Sequence, residues 1–535
     1  MATIRDETYA LLRALGLTTV FGNPGSTEEA FLKDFPDDFT YVLGLQEAAV
    51  VAMADGYAQA MGRPALVNLH TAAGTGNAMG ALATAYLDKT PLIITAGDQA
   101  REMLLLEAWL TNVEAPMLPR PYVKWSYEPA RAADTPAAFM RAYAAATQPP
   151  AGPVYLALPL GDWDQPADGV ATVRTVATRV APDPDRLAQF ADALAASRTP
   201  ALVIGAAVDR SSGGWDAAIR LAERLRAPVW AAPASERVGF PEDHPQYQGA
   251  LPFAIAPLAE KLAGHDVVLV VGAPVFRYYA YVPGDYLPAG TRLLHATDDP
   301  NEAARAPVGE SLLGDAALVC AALAVRLPAS DRPLPSPWPA PSAPPAPMGG
   351  AAPSAAYLFA ALARVWPADG VLVEESPSNR AALHAHVRIA RPASFFTIAS
   401  GILGFGLPAA VGIALAERDT GRHRPVVAVI GDGSFQYSVQ ALWTAAHHRL
   451  PLLIVVPRND AYAILKSFAE REDAPGVPGL DLPGLDIVSI ARGYGCASRQ
   501  VEGADGLEEA LRAGLAADGP TVLVVPIDPA VPPLL

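Results

Sequence analysis

The sequence predicts an α/β protein built of three doubly wound parallel-sheet domains, and three observations carry that expectation. Apolar runs such as Val426-Val427-Ala428-Val429-Ile430, Leu452-Leu453-Ile454-Val455-Val456 and Val267-Val268-Leu269-Val270-Val271 show no polar face, as strands covered by helices on both sides require. Segments of helical spacing separate them, the alternation that produces parallel sheets. Finally, 535 residues exceed the roughly 250 to 300 that one core can hold. A stretch dominated by proline, alanine and serine, 333–353, divides the chain and reads as an extended linker with little packing of its own.

The first domain, residues 1–180, opens with an amphipathic helix over 4–16 whose apolar positions are Ile4, Leu11, Leu12 and Leu15. A strand over 19–22 then ends in the turn Asn23-Pro24-Gly25-Ser26. That places Ser26 at the carboxyl edge of a sheet, where α/β proteins bind ligands, although a plain surface-turn serine would look the same. A strand over 41–44 leads to a helix over 46–60 with Glu47 in its first turn. The helix dipole favours a carboxylate there on structural grounds alone. The neighbours Leu45, Ala48, Ala49, Val50 and Val51 would bury it, and a buried glutamate needs a partner. The third strand, 64–70, brings His70 to the same edge, where a lone histidine also suits a structural role. A small-residue turn over 71–76, a helix to 88 and a strand over 91–94 follow. Trp109 opens a segment through Trp125, rich in proline and aromatics, that reads as an ordered loop over a site. A strand over 153–158 completes the domain.

The middle domain, 181–332, alternates strands at 201–205, 228–230, 267–272 and 292–295 with helices, and it lacks a Gly-x-Gly-x-x-Gly turn. Dinucleotide binding is therefore not expected, and the domain reads as a spacer. In the third domain, 354–535, Gly401-Ile402-Leu403-Gly404-Phe405 leads a helix over 407–416; Leu403 alone would be read as core. The strand over 426–430 ends in Gly431-Asp432-Gly433-Ser434, which sets Asp432 at the carboxyl edge between two glycines that let the backbone turn sharply. The segment 435–448 carries Val439, Leu442 and Trp443 at helical spacing and should be one helix with its amino terminus toward an anion. A strand over 451–456 then delivers Asn459, 26 positions after Gly433. A carboxylate, an amide oxygen and a nearby backbone carbonyl are hard oxygen ligands, suited to magnesium or calcium bridging two phosphates. Pro64 to Pro91 and Pro425 to Pro451 read alike as strand, small turn, helix and proline-led strand, so the two ends of the chain look like domains of one design.

Gly-Asp-Gly followed some twenty-five residues later by Asn resembles the signature of thiamine-diphosphate enzymes. With Ala441-Leu442-Trp443-Thr444-Ala445-Ala446 and Pro478-Gly479-Leu480-Asp481 added, the chain is similar to the 2-oxo-acid decarboxylases of the benzoylformate decarboxylase type over nearly its whole length. The resemblance implies a pyrimidine-binding first domain, a diphosphate-binding third domain and thiamine diphosphate held with Mg2+ (or Ca2+). Asp432, Asn459 and the carbonyl of Ala461 become the metal ligands, and Gly401, Ser378, Gly433, Ser434, Tyr437 and Tyr462 the cofactor contacts. Leu403 matches the residue that presses the cofactor into its bent shape. Glu47 matches the acid that hydrogen-bonds the pyrimidine ring; Ser26 and His70 match the groups that position the substrate carboxylate and handle protons. Because Glu47 and Asp432 lie in different domains, the resemblance implies a site shared between subunits, hence a homodimer at least, assembled as a tetramer.

The chain departs from that pattern where a second active-site histidine is replaced by Tyr279, a group that titrates at about 10 rather than about 6.5. Slower late protonation favours carbon–carbon ligation, so a carboligase joining aldehydes stands beside decarboxylation of a 2-oxo acid to an aldehyde and CO2. A non-catalytic cofactor-binding homologue is disfavoured by the joint presence of Glu47, Asp432 and Asn459. In the pocket Trp109, Ile464 and Pro377 replace leucine, alanine and threonine, while Leu110, Leu465 and Phe468 keep the apolar pattern; the added bulk favours a small aliphatic acyl group as an alternative to phenyl.

A net charge of −16 argues against nucleic acid or an anionic membrane as partner. An acidic protein that holds a diphosphate must draw local positive charge from a metal. Cys320 and Cys496, far apart, offer neither a disulfide framework nor a cysteine metal site. The charged opening segment and the absence of a long apolar run make a soluble cytoplasmic protein the expectation.

Overall fold

The computed structural model describes residues 2–169, 171–348 and 351–534. Three six-stranded sheets, with neighbouring strands parallel, run along the chain. The first consists of β1 (Thr19–Gly22), β2 (Thr40–Leu43), β3 (Ala65–Leu69), β4 (Leu92–Asp98), β5 (Trp125–Tyr127) and β6 (Val154–Pro159). The second contains β7 (Pro200–Ile204), β8 (Val229–Ala231), β9 (Tyr247–Ala250), β10 (Val267–Val271), β11 (Arg292–Thr297) and β12 (Glu310–Leu313). The third has β13 (Val371–Glu375), β14 (Phe395–Phe396), β15 (Val426–Ile430), β16 (Leu452–Arg458), β17 (Ala497–Gln500) and β18 (Thr521–Pro526).

The first and third sheets share one strand order, β2-β1-β3-β4-β6-β5 and β14-β13-β15-β16-β18-β17. The echo between the chain's two ends is therefore real at the level of topology. The middle sheet is wound differently, β12-β11-β10-β7-β8-β9. β3, β4, β6, β7, β10, β13 and β15 are buried at every residue, which is why their sequences carry no alternation. The short edge strands β5, β9, β12, β14 and β17 did not announce themselves, since an edge strand needs only a few residues and tolerates polar ones.

The first and third domains share one hydrophobic core, running from Phe21 and Val67 to Ile430 and Val524. At its centre the helix Glu47–Met61 meets the helix Gly406–Asp419 at two glycines. A Cβ on Gly56 would lie 2.3 Å from the carbonyl oxygen of Ala409, and one on Gly412 1.9 Å from that of Met53, so only glycine allows the approach.

Four expectations need correction. The segment 71–76 is not a turn but most of a helix, Thr71–Asn77, because burial of Thr71, Gly74 and Thr75 outweighs their poor helix propensity. The expected helix over 435–448 is split into Asp432–Phe435 and Ala441–His447. The first turn begins at the glycine edge itself, so Asp432 lies inside it and no long helix points at the site. The linker 333–353 forms no regular structure among its described residues, yet it is not free of packing. Trp338 lies edge-on to Tyr247 at 5.3 Å and beneath the Arg388 guanidinium at 4.7 Å, while Arg388 and Gln248 donate to the carbonyls of Pro339 and Ser336. Finally, Trp109 is 91% exposed and Leu110 is exposed, so these two side chains of the loop cover nothing within one chain, although Ala115 and Val123 of the same segment pack into the shared core. Gln99 holds it through the Trp109 carbonyl, and Glu107 and Leu110 adopt left-handed backbone that turns the loop outward.

Candidate active site

Two clusters form at the carboxyl edges of the first and third sheets. In the first, Glu47 opens the helix Glu47–Met61 just after Gln46, whose side chain caps the Ala49 amide. Its carboxylate is 8% exposed and takes one hydrogen bond on each oxygen, from the Asn23 amide (3.1 Å) and the Asn77 amide (3.0 Å). These are the partners that a buried glutamate requires, and both escaped the sequence reading. His70 caps the helix Thr71–Asn77. Its Nδ1 lies 2.8 Å from Glu28 Oε2 and 3.2 Å from Thr27 Oγ1. Glu28, fully buried, also accepts from the backbone N–H of Gly25 (2.9 Å) and Gly97 (2.8 Å) and from the Thr27 hydroxyl. Anchored by backbone donors, it fixes the ring and assigns the Nδ1 proton to itself, leaving Nε2 for proton exchange. Ser26 is exposed one residue before Thr27. A Cβ on Gly74 would lie 3.3 Å from Glu47 Cγ and 3.5 Å from His70 Cβ, so the structure brings these two side chains to the same spot.

In the second cluster Asp432 follows β15 and Asn459 follows β16, as neighbouring parallel strands dictate. Asp432 Oδ2 accepts from the backbone N–H of Asn459 (3.0 Å) and Asp460 (2.7 Å), and Oδ1 from that of Gly433 (2.9 Å). Asn459 Oδ1 accepts from Ala461 N at 3.2 Å. Burial pushes the Asp432 carboxyl up from the ordinary range against the pull of those N–H groups, with the neighbouring Asp460 adding to the rise, and no ion pair joins it among the described residues. A Cβ on Gly433 would lie 2.5 Å from the Tyr462 ring, so the space beside that turn is reserved for backbone. A lone buried carboxylate, an amide oxygen and exposed main chain in a glycine-lined seat fit a divalent cation carrying a diphosphate. No cluster of three or more His, Cys, Asp or Glu side chains able to hold a metal occurs among the described residues.

Gly401, at φ +74°, and half-buried Leu403 lie on the turn before the helix Gly406–Asp419. Tyr437 packs over Gly404. Ser378 lies in the 3-10 turn Pro377–Asn379 after β13. Glu375, also missed, accepts from the backbone N–H of Gly404 (2.7 Å) and Gly406 (2.5 Å), and burial pushes its carboxyl up to about 7. The signal was present: Glu374-Glu375 ends an otherwise apolar buried strand.

Of the pocket residues, Ile464, Leu465 and Phe468 share the helix Ala463–Arg471. Tyr279 crosses from the middle domain to meet Phe468 edge-on at 4.9 Å, with 70% of its surface exposed. Trp109 and Leu110 stand on the first domain's surface. No hydrogen bond among the described residues joins the Glu47 cluster to the Asp432 cluster.

No helix among the described residues is long and apolar enough to cross a membrane. Residues 2–115, 187–323 and 378–525 match the N-terminal TPP binding domain, the central domain and the C-terminal TPP binding domain of thiamine pyrophosphate enzymes. Benzoylformate decarboxylase of Pseudomonas aeruginosa is 49% identical over 98% of this chain and 99% of its own. The crystal structure of benzoylformate decarboxylase from Polynucleobacter necessarius superposes with a TM-score of 0.97 at 51% identity, over 100% of both chains. The thiamine diphosphate-dependent 4-hydroxybenzoylformate decarboxylase of Rhodococcus jostii gives 0.94 at 44%, over 99% of this chain and 100% of that one. The chain belongs to the thiamine pyrophosphate enzyme family, with thiamine diphosphate as its cofactor and decarboxylases of aromatic 2-oxo acids among its full-length relatives.

Proposed function

We propose that this protein is a carboxy-lyase that converts an aromatic 2-oxo acid of the benzoylformate type to the aldehyde and carbon dioxide, taking up one proton. The observation that carries the reading is the joint presence of a Glu47 cluster and an Asp432–Asn459 seat on two sheets of identical strand order, in a chain that aligns end to end with decarboxylases of such acids. The three units are residues 1–180, 181–332 and 354–535, with 333–353 between the last two.

Asp432, Asn459 and the Ala461 carbonyl would hold Mg2+ or Ca2+, with Gly433, Ser434, Tyr437, Tyr462, Ser378 and Gly401 lining the cofactor. When bound, thiamine diphosphate supplies the electron sink for carbon dioxide loss. Glu47, oriented by Asn23 and Asn77, would hold the cofactor's aminopyrimidine, and Leu403 would support its ring system. Ser26 orients the substrate carboxylate, and His70 Nε2 moves the proton while Glu28 holds its ring. Trp109, Leu110, Tyr279, Ile464, Leu465 and Phe468 enclose the acyl group. The exposed apolar run Leu105, Leu106, Trp109, Val113 and Met117 supports a second copy closing the site. A cytoplasmic homotetramer is part of this reading.

The test is a panel of benzoylformate, 4-hydroxybenzoylformate and a short aliphatic 2-oxo acid, scored for carbon dioxide and aldehyde, beside paired aldehydes scored for hydroxyketone. Carbon dioxide and aldehyde from the aromatic acids are expected. Hydroxyketone formation with no decarboxylation of any acid would replace this reading by carboligation.

A further inference from the structure

Leu403 sits in a turn that must keep one shape if it is to press on a ligand, and the turn is pinned at both ends by buried carboxylates. At its start Asp88 of the first domain accepts from Ala399 N at 2.7 Å, and Ser400 Oγ meets Thr84 Oγ1 at 2.9 Å. At its end Glu375 accepts from Gly404 N and Gly406 N, one on each oxygen. Between them Ile402 N donates back to Ser400 Oγ at 3.0 Å. Glu375 is 2% exposed, and no cation pairs with it among the described residues. Burying an acid without a cation is unfavourable, and an apolar residue would fit a strand end between Val373 and the core. What an apolar residue lacks is two acceptors for two main-chain donors less than one turn apart, and each donor left buried and unpaired costs more than its hydrogen bond gains.

The same residue reaches the other half of the cluster. Its backbone carbonyl accepts from Gly431 N at 3.0 Å, immediately before Asp432. Side chain and main chain of one residue therefore tie the Leu403 turn to the Gly431-Asp432-Gly433-Ser434 turn.

We propose that Glu375 is a positioning residue that preforms the cofactor seat by clamping the Leu403 turn to the metal-binding turn. The inference rests on the reading of these two turns as the thiamine diphosphate site. Its test is the affinity of the metal-free, cofactor-free protein for thiamine diphosphate with Mg2+, by titration calorimetry, in the unaltered chain, Glu375→Gln and Glu375→Asp. Glutamine keeps one acceptor and turns an N–H2 toward the second donor. Binding at least tenfold weaker is expected in Glu375→Gln, with circular dichroism unchanged, and a partial recovery in Glu375→Asp, which keeps both acceptors. A folded Glu375→Gln that binds like the unaltered chain overturns the proposal; an unaltered chain that does not bind overturns the reading of the site instead. Should the variants not fold, hydrogen exchange of segment 399–406 in the unaltered cofactor-free protein decides. Slow exchange before the cofactor is added is expected, and exchange that becomes slow only on cofactor binding overturns preformation.

Discussion

The first and third sheets repeat one strand order but are equipped oppositely at their carboxyl edges. The first presents side chains: Glu28 and Glu47, held by amide, hydroxyl and backbone donors, and His70, held by the Glu28 carboxylate. The third presents main chain: glycines at 401, 404, 431 and 433, with Asp432 tied to three N–H groups of two loops. The difference teaches that a duplicated scaffold need not duplicate a function. Groups that move protons need rigid, adjustable side chains, whereas a seat for a diphosphate and its metal needs backbone that a ligand can approach.

The division can be broken by exchanging what each edge depends on. Glu47→Gln should remove proton chemistry and leave the seat, so turnover falls by about 10^2 to 10^4 while magnesium-dependent binding of thiamine diphosphate persists; turnover equal to the unaltered enzyme would refute the role. Asp432→Ala addresses the other edge, and loss of cofactor retention in gel filtration by an order of magnitude or more is expected, with the Glu47 side undisturbed. Glu28→Gln is a finer probe. Turnover should drop by roughly tenfold as His70 loses its anchor; unchanged turnover would make Glu28 structural only.

The smallest effect lies on the seam behind the clusters, at Asp55 on the helix Glu47–Met61. Burial pushes its carboxyl up to about 6 against the Gln59 hydrogen bond, the neighbouring Thr90 hydroxyl and the nearby Arg210 and Arg237, and Asp88 beside it is raised as well. Burial raises Asp88 first, with Asp55 and Glu236 adding to the shift. A carboxyl raised on folding stabilises in its neutral form, so its contribution is complete at low pH and is lost as pH rises through about 6. Asp55→Asn mimics the neutral form. It should melt with the unaltered protein below about pH 4, where both folded and unfolded states hold the proton, and about 2–4 °C above it at pH 8, as thermal circular dichroism would show; a constant difference across that range would contradict the raised carboxyl.

What could be read in the sequence follows from burial. Strands covered on both faces, such as β10, β15 and β16, write continuous apolar runs, and their ends locate Asp432, Asn459 and His70 without further help. Edge strands such as β12 and β17 carry polar residues and leave no such trace. The split of 435–448 was hidden because helical spacing in Val439, Leu442 and Trp443 says nothing of where the first turn starts. Glu28 was missed for a related reason: a carboxylate whose partners are backbone N–H groups of distant segments has no sequence signature; Glu375 has such partners too, and its one trace was the pair of acids that ends an apolar strand. Trp109 and Leu110 kept their apolar identity but not their expected cover, because an apolar residue can wait on the surface for another copy as easily as fill its own core.

The stretch around Trp338 has a mechanical consequence. A segment of proline and alanine would ordinarily be slack, a leash that lets two bodies drift. Here one indole ring is gripped by Tyr247 on one body and Arg388 on the other, so the segment behaves as a splint. The ring acts beside the direct bonds between the two bodies, such as Ile389 with Glu242 and Ala393 with Asp209, so the linker is braced rather than left as the sole tether.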